Sequence, residues 1–260
     1  MKEVTIKNLT IGNGSPKICV PLCGKNKEEL LGQIKEYEND VVDLIEWRVD
    51  FFEDATDAEK VIDLAAALQK SVPKKPILFT FRTKQEGGEQ AISKEDYLAL
   101  NLAVAKSGYV DMIDLELFIT EGKEELSDVI REIHKYPVKI IASNHDFEKT
   151  PSKESIVSRL QQMQDMGADI AKIAVMPNSS DDVLTLLSAT NTMKEEYANI
   201  PIVTMSMGKL GVISRICGEC FGSAITFGSL TKASAPGQIP VQELKNMLNL
   251  LSGSSIDSIK

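Results

Sequence analysis

The run Asp169-Ile-Ala-Lys-Ile-Ala-Val175 decides the fold, because it is short and apolar and lies between longer segments of helical period. Such a run is typical of a strand in a parallel sheet that is buried on both faces. Similar runs recur along the chain, and the eight predicted strands are residues 17–23, 41–49, 76–82, 110–116, 138–143, 169–175, 200–206 and 223–227. Strands that alternate with helices form repeated βα units, so the pattern predicts an α/β fold, a (β/α)8 TIM barrel.

The length of the chain fits one such barrel. Its 260 residues lie within the range that a single barrel fills, and no linker, repeat or low-complexity segment divides them. We therefore expect residues 1–260 to form one domain. Residues 4–11 alternate between apolar and polar, which predicts a short strand or hairpin that covers one end of the barrel.

Local signals predict where several helices begin and end. Asn26 and Ser93 are predicted N-caps, and the pair Thr150-Pro151 is predicted to supply a cap and a first-turn proline. Gly108 and Gly167 are suited to the left-handed conformation that ends a helix.

The composition excludes several classes of protein. Hydrophobic residues make up 43% and charged residues 26%, which is ordinary for a globular domain. The net charge of −9 opposes binding to nucleic acid and to anionic membrane surfaces, so neither is an expected partner. No apolar run approaches the roughly 20 residues that a membrane span needs, and the N-terminal residues lack the apolar region of a signal peptide. We expect a cytoplasmic location.

The chain has four cysteines, and two of them form the spacing Cys217-Gly-Glu-Cys220. This spacing is compatible with a redox motif or a zinc site. Cys19 and Cys23 are separated by three residues in an apolar run, and the later motif does not follow a first strand. Ordinary reduced thiols are therefore the expected state.

Ionisable residues lie at the carboxyl ends of several predicted strands, where barrel enzymes place their active sites. They are Glu46, Arg48, Asp50, Arg82, Asp114, Glu116, His145 and Lys172. An interior position is unfavourable for a charge unless the charge is paired or used in chemistry. Ion pairs at the barrel rim are the alternative interpretation of any one of these residues.

Lys172 and His145 are the strongest candidates for chemistry. Lys172 has small and apolar neighbours on both sides, and burial disfavours the ammonium, which leaves the free amine that attacks a ketone. The alternative is an inert ion pair with Asp114 or Glu46. A histidine titrates near neutrality, so His145 at a strand end is suited to proton transfer, whereas we expect His134 to be solvated.

With these residues identified, the sequence resembles the type I 3-dehydroquinate dehydratases of the shikimate pathway, from about residue 16 to 238. The matching segments are Glu46-Trp-Arg-Val-Asp50, Phe81-Arg-Thr-Lys-Gln-Glu-Gly-Gly88, Ser143-Asn-His-Asp-Phe147 with Thr150-Pro151, Ala171-Lys-Ile173, Met205-Ser-Met-Gly208 through Ser214-Arg215, and Ala233-Ser-Ala-Pro-Gly-Gln238. One departure is Pro21, where family members often carry a serine. The missing serine hydroxyl would remove one polar contact to the substrate.

The resemblance implies a role for each matching residue. Lys172 corresponds to the family's Schiff-base lysine, His145 to its general acid/base, and Glu86 to the carboxylate that orients the histidine. Arg215 corresponds to the arginine that binds the substrate carboxylate. The remaining implied substrate contacts are Glu46, Arg48 and Arg82, the apolar walls Met205 and Phe227, and the closing-loop residues Ser234 and Gln238.

The resemblance also implies the reaction. A lyase of this family dehydrates 3-dehydroquinate to 3-dehydroshikimate by syn elimination, on the route to chorismate and the aromatic amino acids. It uses no metal and no organic cofactor, and it is a homodimer.

Three other interpretations stay open from the residues alone. A Schiff-base aldolase or transaldolase would share the lysine on strand six, but would need a phosphate site in the last loops. A metal-dependent barrel would use the carboxylates Glu46, Asp50, Asp114 and Glu116, and a chelator would abolish its activity. A non-enzymatic carrier would bind a hydroxylated carboxylate without reacting with it.

Overall fold

The computed structural model describes residues 2–120, 122–230 and 235–252. Its strands are β1 (Val4–Ile6), β2 (Leu9–Ile11), β3 (Lys17–Leu22), β4 (Leu44–Arg48), β5 (Ile77–Thr80), β6 (Met112–Glu116), β7 (Lys139–Asp146), β8 (Ile170–Val175), β9 (Ile202–Ser206), β10 (Ile225–Ser229) and β11 (Ile239–Pro240). Its helices are α1 (Lys27–Gln33), α2 (Ala58–Ser71), α3 (Lys94–Ser107), α4 (Lys123–Ile133), α5 (Lys153–Asp165), α6 (Ser180–Thr192), α7 (Val212–Ile216), α8 (Gly218–Phe221) and α9 (Val241–Leu251).

The strands from β3 to β10 form a parallel barrel. The sheet runs in the order β11-β10-β3-β4-β5-β6-β7-β8-β9, so consecutive strands of the chain are neighbours. Its two ends meet where Ile202 of β9 forms a parallel bridge with Ser223, and Ala224 N donates to Ile202 O at 2.8 Å. The eight strands predicted from the sequence correspond to β3–β10, and the predicted barrel is confirmed.

Side chains of each strand alternate between the inside of the barrel and the surrounding helices. In β8, Ile170 and Ala174 belong to the interior cluster, whereas Ala171, Ile173 and Val175 pack against the helices. Lys172 shares the parity of Ile170 and Ala174, so its side chain lies inside the barrel. This alternation directs the charged side chain of Lys172 into the barrel, although the rest of the strand is apolar.

The N-terminal hairpin closes the amino end of the barrel. Strands β1 and β2 pair antiparallel, with Lys7 at φ 51° in the tight turn between them. Val4, Ile6 and Ile11 are buried in the interior cluster, whose other members include Leu44, Leu78, Met112, Ile141 and Ile170. The predicted hairpin cover is therefore confirmed, and it leaves the carboxyl end of the strands for a site.

Several of the predicted helix ends are confirmed, and one predicted cap is wrong. The side chains of Asn26 and Ser93 cap α1 and α3, and Gly108 ends α3 at φ 71°. The prediction for Thr150-Pro151 was wrong, because Ser152 is the N-cap of α5. The Thr150 hydroxyl donates instead to Met176 O at 3.0 Å, so it joins the loops that follow β7 and β8.

Pro21 lies inside β3 at a position where a proline is tolerated. Strand β10 pairs with β3 only as far as Cys19, so the missing N–H of Pro21 is not required on that side. The carbonyl of Pro21 accepts a hydrogen bond of 2.8 Å from the hydroxyl of Tyr37.

Within the described residues, no helix is both long and apolar enough to cross a membrane.

The Tyr97 hydroxyl ties helix α3 to the end of β6, and its removal tests how tightly this strand end is held. The buried hydroxyl donates to Asp114 O at 3.2 Å and accepts from Glu116 N at 3.1 Å. Tyr97→Phe leaves both backbone groups without this partner, and we expect it to lower the free energy of unfolding by about 1–3 kcal/mol. Urea unfolding measures the loss. The matched control is Tyr109→Phe, at a residue that is 38% exposed; equal stability of the two variants would contradict the prediction.

Candidate active site

A cavity opens at the carboxyl end of the barrel strands, and it collects nearly all the residues that the sequence predicted. Of the eleven predicted site residues, the ten that lie in the described part of the chain line this cavity: Glu46, Arg48, Arg82, Glu86, His145, Lys172, Met205, Arg215, Phe227 and Gln238. Ser234 lies outside the described residues. The strands and the loops that follow them therefore bring together residues far apart in sequence.

Lys172 is enclosed at the base of this cavity. Its side chain is only 4% exposed, and Nζ lies 3.7 Å from Glu46 Oε1 and 3.6 Å from Asp114 Oδ2. Nζ also lies 4.6 Å from the ring centroid of Phe227. Both carboxylates balance an ammonium charge, but neither oxygen is close enough for a short hydrogen bond. Asp114 Oδ2 has no hydrogen-bond partner among the described residues. The amine therefore has charge partners without being locked to one of them.

Arg82 organises the carboxylates beneath the lysine. Its guanidinium contacts Asp114 Oδ1 and Glu116 Oε1 at 2.8 Å each and donates to Ser143 Oγ at 3.1 Å. Burial lowers the pKa of Arg82, but Asp114 and Glu116 outweigh it and hold that pKa well above its ordinary value. Arg82 is thus a permanent cation that holds Asp114, Glu116 and Ser143 around Lys172.

Glu86 and His145 form a second pair on the wall of the cavity. The Nδ1 atom of His145 lies 2.9 Å from Glu86 Oε2, and the same oxygen accepts the backbone N–H of His145 at 2.9 Å. Asn144 Nδ2 donates to the other oxygen, Oε1, at 3.0 Å. When Glu86 is ionised, both of its oxygens are acceptors only, so Nδ1 donates to Oε2 and Nε2 keeps a free lone pair. This is the arrangement that a base needs.

The electrostatics of this pair keep the imidazole uncharged. Burial lowers the pKa of His145 well below 6.5, and the cations Arg82, Lys172 and Arg48 act in the same direction. Burial, followed by the charge of Glu116, raises the pKa of Glu86 to about 8, against the opposing effects of Arg82 and Asn144. The imidazole of His145 is therefore uncharged at neutral pH, and it accepts a proton at Nε2 in the form in which Glu86 is ionised.

Arg215 is a buried cation without an acidic partner among the described residues. It is 2% exposed, its Nη2 donates to Pro236 O at 3.0 Å, and its Nη1 lies 3.5 Å from Phe227 O. Its Nε has no hydrogen-bond partner in the described part of the chain. Burial lowers the pKa of Arg215 to about 10. An uncompensated buried guanidinium facing a cavity is suited to bind an anion such as a carboxylate.

Short contacts fix the position of helix α7, which carries Arg215. The hydroxyl of Ser214 accepts Ser206 N at 2.9 Å and donates to Gly211 O at 2.7 Å. A Cβ at Gly211 would lie 2.2 Å from Ser206 O, so only glycine fits there. The glycine at position 211 therefore serves close packing between this turn and the end of β9.

The sequence reasoning missed several residues that line the cavity. They are Gly87, Phe147, Ala174, Met207 and Ala235. Gly87 has φ 84°, and a Cβ there would lie 2.4 Å from the ring of Phe147. The Gly87-Gly88 pair is the signal that the sequence offers here, but two adjacent glycines are equally typical of an ordinary turn.

The four carboxylates considered for a metal site are instead engaged with cations. Arg48 forms a two-bond pair with Asp50 at 2.8 Å per bond, Arg82 holds Asp114 and Glu116, and Glu46 lies near Lys172. Over the described ranges, no group of three or more histidine, cysteine, aspartate or glutamate side chains is arranged to hold a metal ion.

The other histidine and the cysteines are not among the described residues that line this cavity. His134 is exposed, as expected, and its Nε2 lies 2.8 Å from Asp169 Oδ2, where α4 ends. All four cysteines are free thiols, as expected, and Cys220 is the exposed one. A larger groove lies beside the hairpin at the amino end, and two of its three lysines, Lys7 and Lys139, are paired with Asp111 and Asp169.

The fold and the site together define a (β/α)8-barrel enzyme with a buried lysine and a histidine in one cavity. The profile of the type I 3-dehydroquinase family matches residues 18–255. The chain is 53% identical to the 3-dehydroquinate dehydratase of Clostridioides difficile (strain 630), over 97% of this chain and 98% of that protein. It is also 53% identical to the 3-dehydroquinate dehydratase of Escherichia coli (strain 55989 / EAEC), over 96% and 99%.

A solved structure agrees with these relatives. The crystal structure of type I 3-dehydroquinate dehydratase from Clostridium difficile with covalently modified comenic acid superposes with a TM-score of 0.93 and 52% identity, covering 97% of this chain and 99% of that one. The chain belongs to the type I 3-dehydroquinase family, and it is a 3-dehydroquinate dehydratase, a lyase.

The lowered pKa of His145 predicts that its ring stays neutral at acidic pH. The chain has only two histidines, so the imidazole signals in an NMR titration from about pH 5 to about 8 are few, and His145→Ala assigns them. The midpoint for protonation of His145 should lie well below pH 6.5, because burial and three nearby cations disfavour the imidazolium. A midpoint at or above pH 6.5 for the assigned signal would contradict this electrostatic account.

Proposed function

We propose that this enzyme converts 3-dehydroquinate to 3-dehydroshikimate through a Schiff base on Lys172, with His145 as the general acid/base. One observation carries the proposal: a single cavity holds an enclosed amine, a neutral histidine oriented by a carboxylate, and a buried arginine without an acidic partner among the described residues. These three groups match a substrate that has a ketone, an adjacent C–H bond and a carboxylate.

The amine provides the electron sink. In its neutral form, Lys172 attacks the ketone carbon, and the resulting carbinolamine loses water to give an imine. The protonated imine withdraws electrons from the neighbouring carbon, which makes the C–H bond next to it acidic. Nucleophilic catalysis of this type divides one difficult elimination into easier steps. No step in the scheme requires a metal or an organic cofactor.

His145 moves the protons. Its Nε2 removes the proton from the carbon next to the imine, and the electrons of that bond form an enamine. The enamine expels the hydroxyl group on the next carbon, which leaves as water with the proton that the imidazolium returns. Because one ring serves both positions, proton and hydroxyl depart from the same face, a syn elimination. Water then hydrolyses the conjugated imine and releases 3-dehydroshikimate and the free amine.

The remaining residues bind and orient the substrate in this scheme. Glu86 holds His145 through Nδ1, and Arg215 binds the substrate carboxylate. Glu46 and Arg48 contact the hydroxyl groups, Arg82 holds the carboxylates near the lysine, and Met205 and Phe227 form apolar walls. We assign Gln238 and Ser234, the latter from the family resemblance alone, to the loop that closes over the ligand.

Two further observations support the chemistry. The C. difficile relative has been solved with a covalently modified ligand, which is the behaviour expected of a protein with a reactive group in its cavity. The contacts of Lys172 with Glu46 and Asp114 exceed 3.5 Å, so the amine can leave them without breaking a short hydrogen bond.

We also propose the setting in which the enzyme works. Residues 1–260 form one catalytic domain, which acts in the shikimate pathway toward chorismate and the aromatic amino acids. Four free thiols, one of them exposed, suit a reducing compartment and support a cytoplasmic location. Large apolar side chains are exposed on α7, on α9, which packs against α7, and on the turn before α7; they are Leu210, Ile213, Met247 and Leu250. An exposed apolar surface of this kind favours a homodimer. A monomeric mass by light scattering would refute the dimer.

Reduction with borohydride tests the covalent step. Mixed with 3-dehydroquinate and borohydride, the protein should gain the mass of one ligand, less the water lost when the imine forms and plus the two hydrogens added on reduction, because hydride traps the imine as a stable secondary amine. Peptide mapping should place the adduct at Lys172. Lys139→Met is the matched control, since Lys139 is paired with Asp169 at the amino end and should not affect the adduct. Ligand that binds while the protein stays unmodified would favour a carrier or a non-covalent mechanism.

A companion variant separates the proton transfers from the covalent step. His145→Ala should still give the trapped adduct, but its turnover should fall by about 10²- to 10⁴-fold, because general acid–base catalysis contributes that much. Ultraviolet absorbance of the conjugated enone follows the product. His134→Ala, at the other histidine, should keep its turnover. Full turnover of His145→Ala would remove the histidine from the mechanism.

A further inference from the structure

Behind the wall of the cavity, Asn144 occupies the layer between β7 and α5. Its neighbour Ser143 contacts Arg82 and Asp114 inside the barrel, and His145 lines the cavity. Asn144 has the opposite parity, is 4% exposed, and contacts Arg159 of α5. Asn144 is not among the described residues that line the cavity. Any effect of Asn144 on the reaction must therefore act through another residue.

Arg159 fixes the orientation of the Asn144 amide. Arg159 Nη1 donates to Asn144 Oδ1 at 2.8 Å. A guanidinium has donors only, so the amide oxygen must face it and the amide nitrogen must face the other way. That nitrogen donates to Glu86 Oε1 at 3.0 Å. Without the arginine, the amide could turn and present its oxygen to the Glu86 carboxylate, which would repel it.

The amide in turn fixes the orientation of the Glu86 carboxylate. With Oε1 held by Asn144, Oε2 faces both the backbone N–H and the Nδ1 of His145 at 2.9 Å. A competitor for the carboxylate is close, since Arg82 Nη1 lies 3.6 Å from Oε2. Loss of the Asn144 bond would leave the carboxylate free to move toward this cation and away from His145.

Arg159 is itself held in place at the surface end of this chain of contacts. It is half-buried, and its guanidinium carbon lies 5.4 Å from the ring centroid of Phe118, which is 57% exposed. The aromatic face covers the cation and limits the directions in which it can move. The contacts thus run without a break from Phe118 through Arg159, Asn144 and Glu86 to His145.

We propose that Asn144 is a positioning residue for His145, and that Arg159 sets the orientation in which Asn144 works. The inference rests on the proposed role of His145 as the general acid/base. Neither residue is required to touch the substrate. Their effect is to keep the Nδ1 proton on its bond to Glu86, so that the Nε2 lone pair faces the ligand.

A double-mutant cycle tests the dependence of the two residues on each other. Asn144→Ala should lower kcat roughly 10- to 100-fold, because a small misplacement of a catalytic group has effects of this size. KM should change less than about twofold, since the carboxylate-binding Arg215 is untouched. Arg159→Met should lower kcat by a smaller factor. The double variant should be no slower than Asn144→Ala alone, because Arg159 acts only through the amide.

Two controls separate positioning from stability. Asn144→Asp keeps the size and the oxygen that faces Arg159 but removes the N–H toward Glu86, so it should lose as much kcat as Asn144→Ala. Arg131→Met removes an exposed arginine paired with Asp128 and should leave kcat unchanged. In ¹⁵N NMR of the imidazole, the unmodified protein should show the Nδ1–H tautomer of His145, and the Asn144 variants a mixture of tautomers.

Three outcomes would overturn the inference. The first is a kcat within twofold of the unmodified enzyme in Asn144→Asp. The second is a double variant whose loss equals the product of the single losses. The third is an unchanged His145 tautomer in the Asn144 variants, even if they unfold more easily. If His145→Ala itself keeps full turnover, the proposed function fails first; if only that variant is impaired, the function stands and the positioning role falls.

Discussion

The contact between the Arg82 guanidinium and Asp114 is the interaction on which the rest of the site depends. Burying either charge alone would cost several kcal/mol, and the two offset this in a bond of 2.8 Å. Because Arg82 occupies Oδ1 of Asp114, the other oxygen is left facing Lys172 at 3.6 Å. The same guanidinium also neutralises Glu116 and helps keep His145 uncharged. One cation thus contributes to the electrostatic environments of both the lysine and the histidine, in addition to the burial that lowers the pKa of His145.

Along a barrel strand, the interior side chains near the amino end form the apolar core, and those nearer the carboxyl end form the site. In β8, Ile170 joins the apolar cluster near the hairpin, and Lys172 follows two residues later on the same face. In β4, Leu44 lies in that cluster and Glu46 shares the parity of Leu44. A one-residue shift in register would turn these charges toward the helices, so the strand pairing that closes the barrel also fixes the geometry of the site. The hairpin excludes water from the opposite end.

Much of this arrangement was predictable from the sequence, for physical reasons. The eight strands are short apolar runs between helical segments, so their number and order could be read directly, and Lys172 was identified as a lysine between small and apolar neighbours. Periodicity contains no information about contacts between distant loops, so Glu86 and Arg215 were found only through the family resemblance. The position of Ser152 as a cap was missed because Thr150-Pro151 offered an equally good local signal. The roles of Asn144 and Arg159 depend on the orientation of an amide, which only packing between β7 and α5 determines.

The central claim is that the amine of Lys172 leaves its carboxylate partners to bond with a ketone carbon. A crystal structure of the protein soaked with 3-dehydroquinate measures this most directly. We predict continuous electron density from Nζ to a ligand carbon, with the Arg82 contact to Asp114 retained and the ligand carboxylate on Arg215. Density for a bound ligand with Nζ still beside Glu46 and Asp114, at about van der Waals distance from the carbonyl, would contradict the claim.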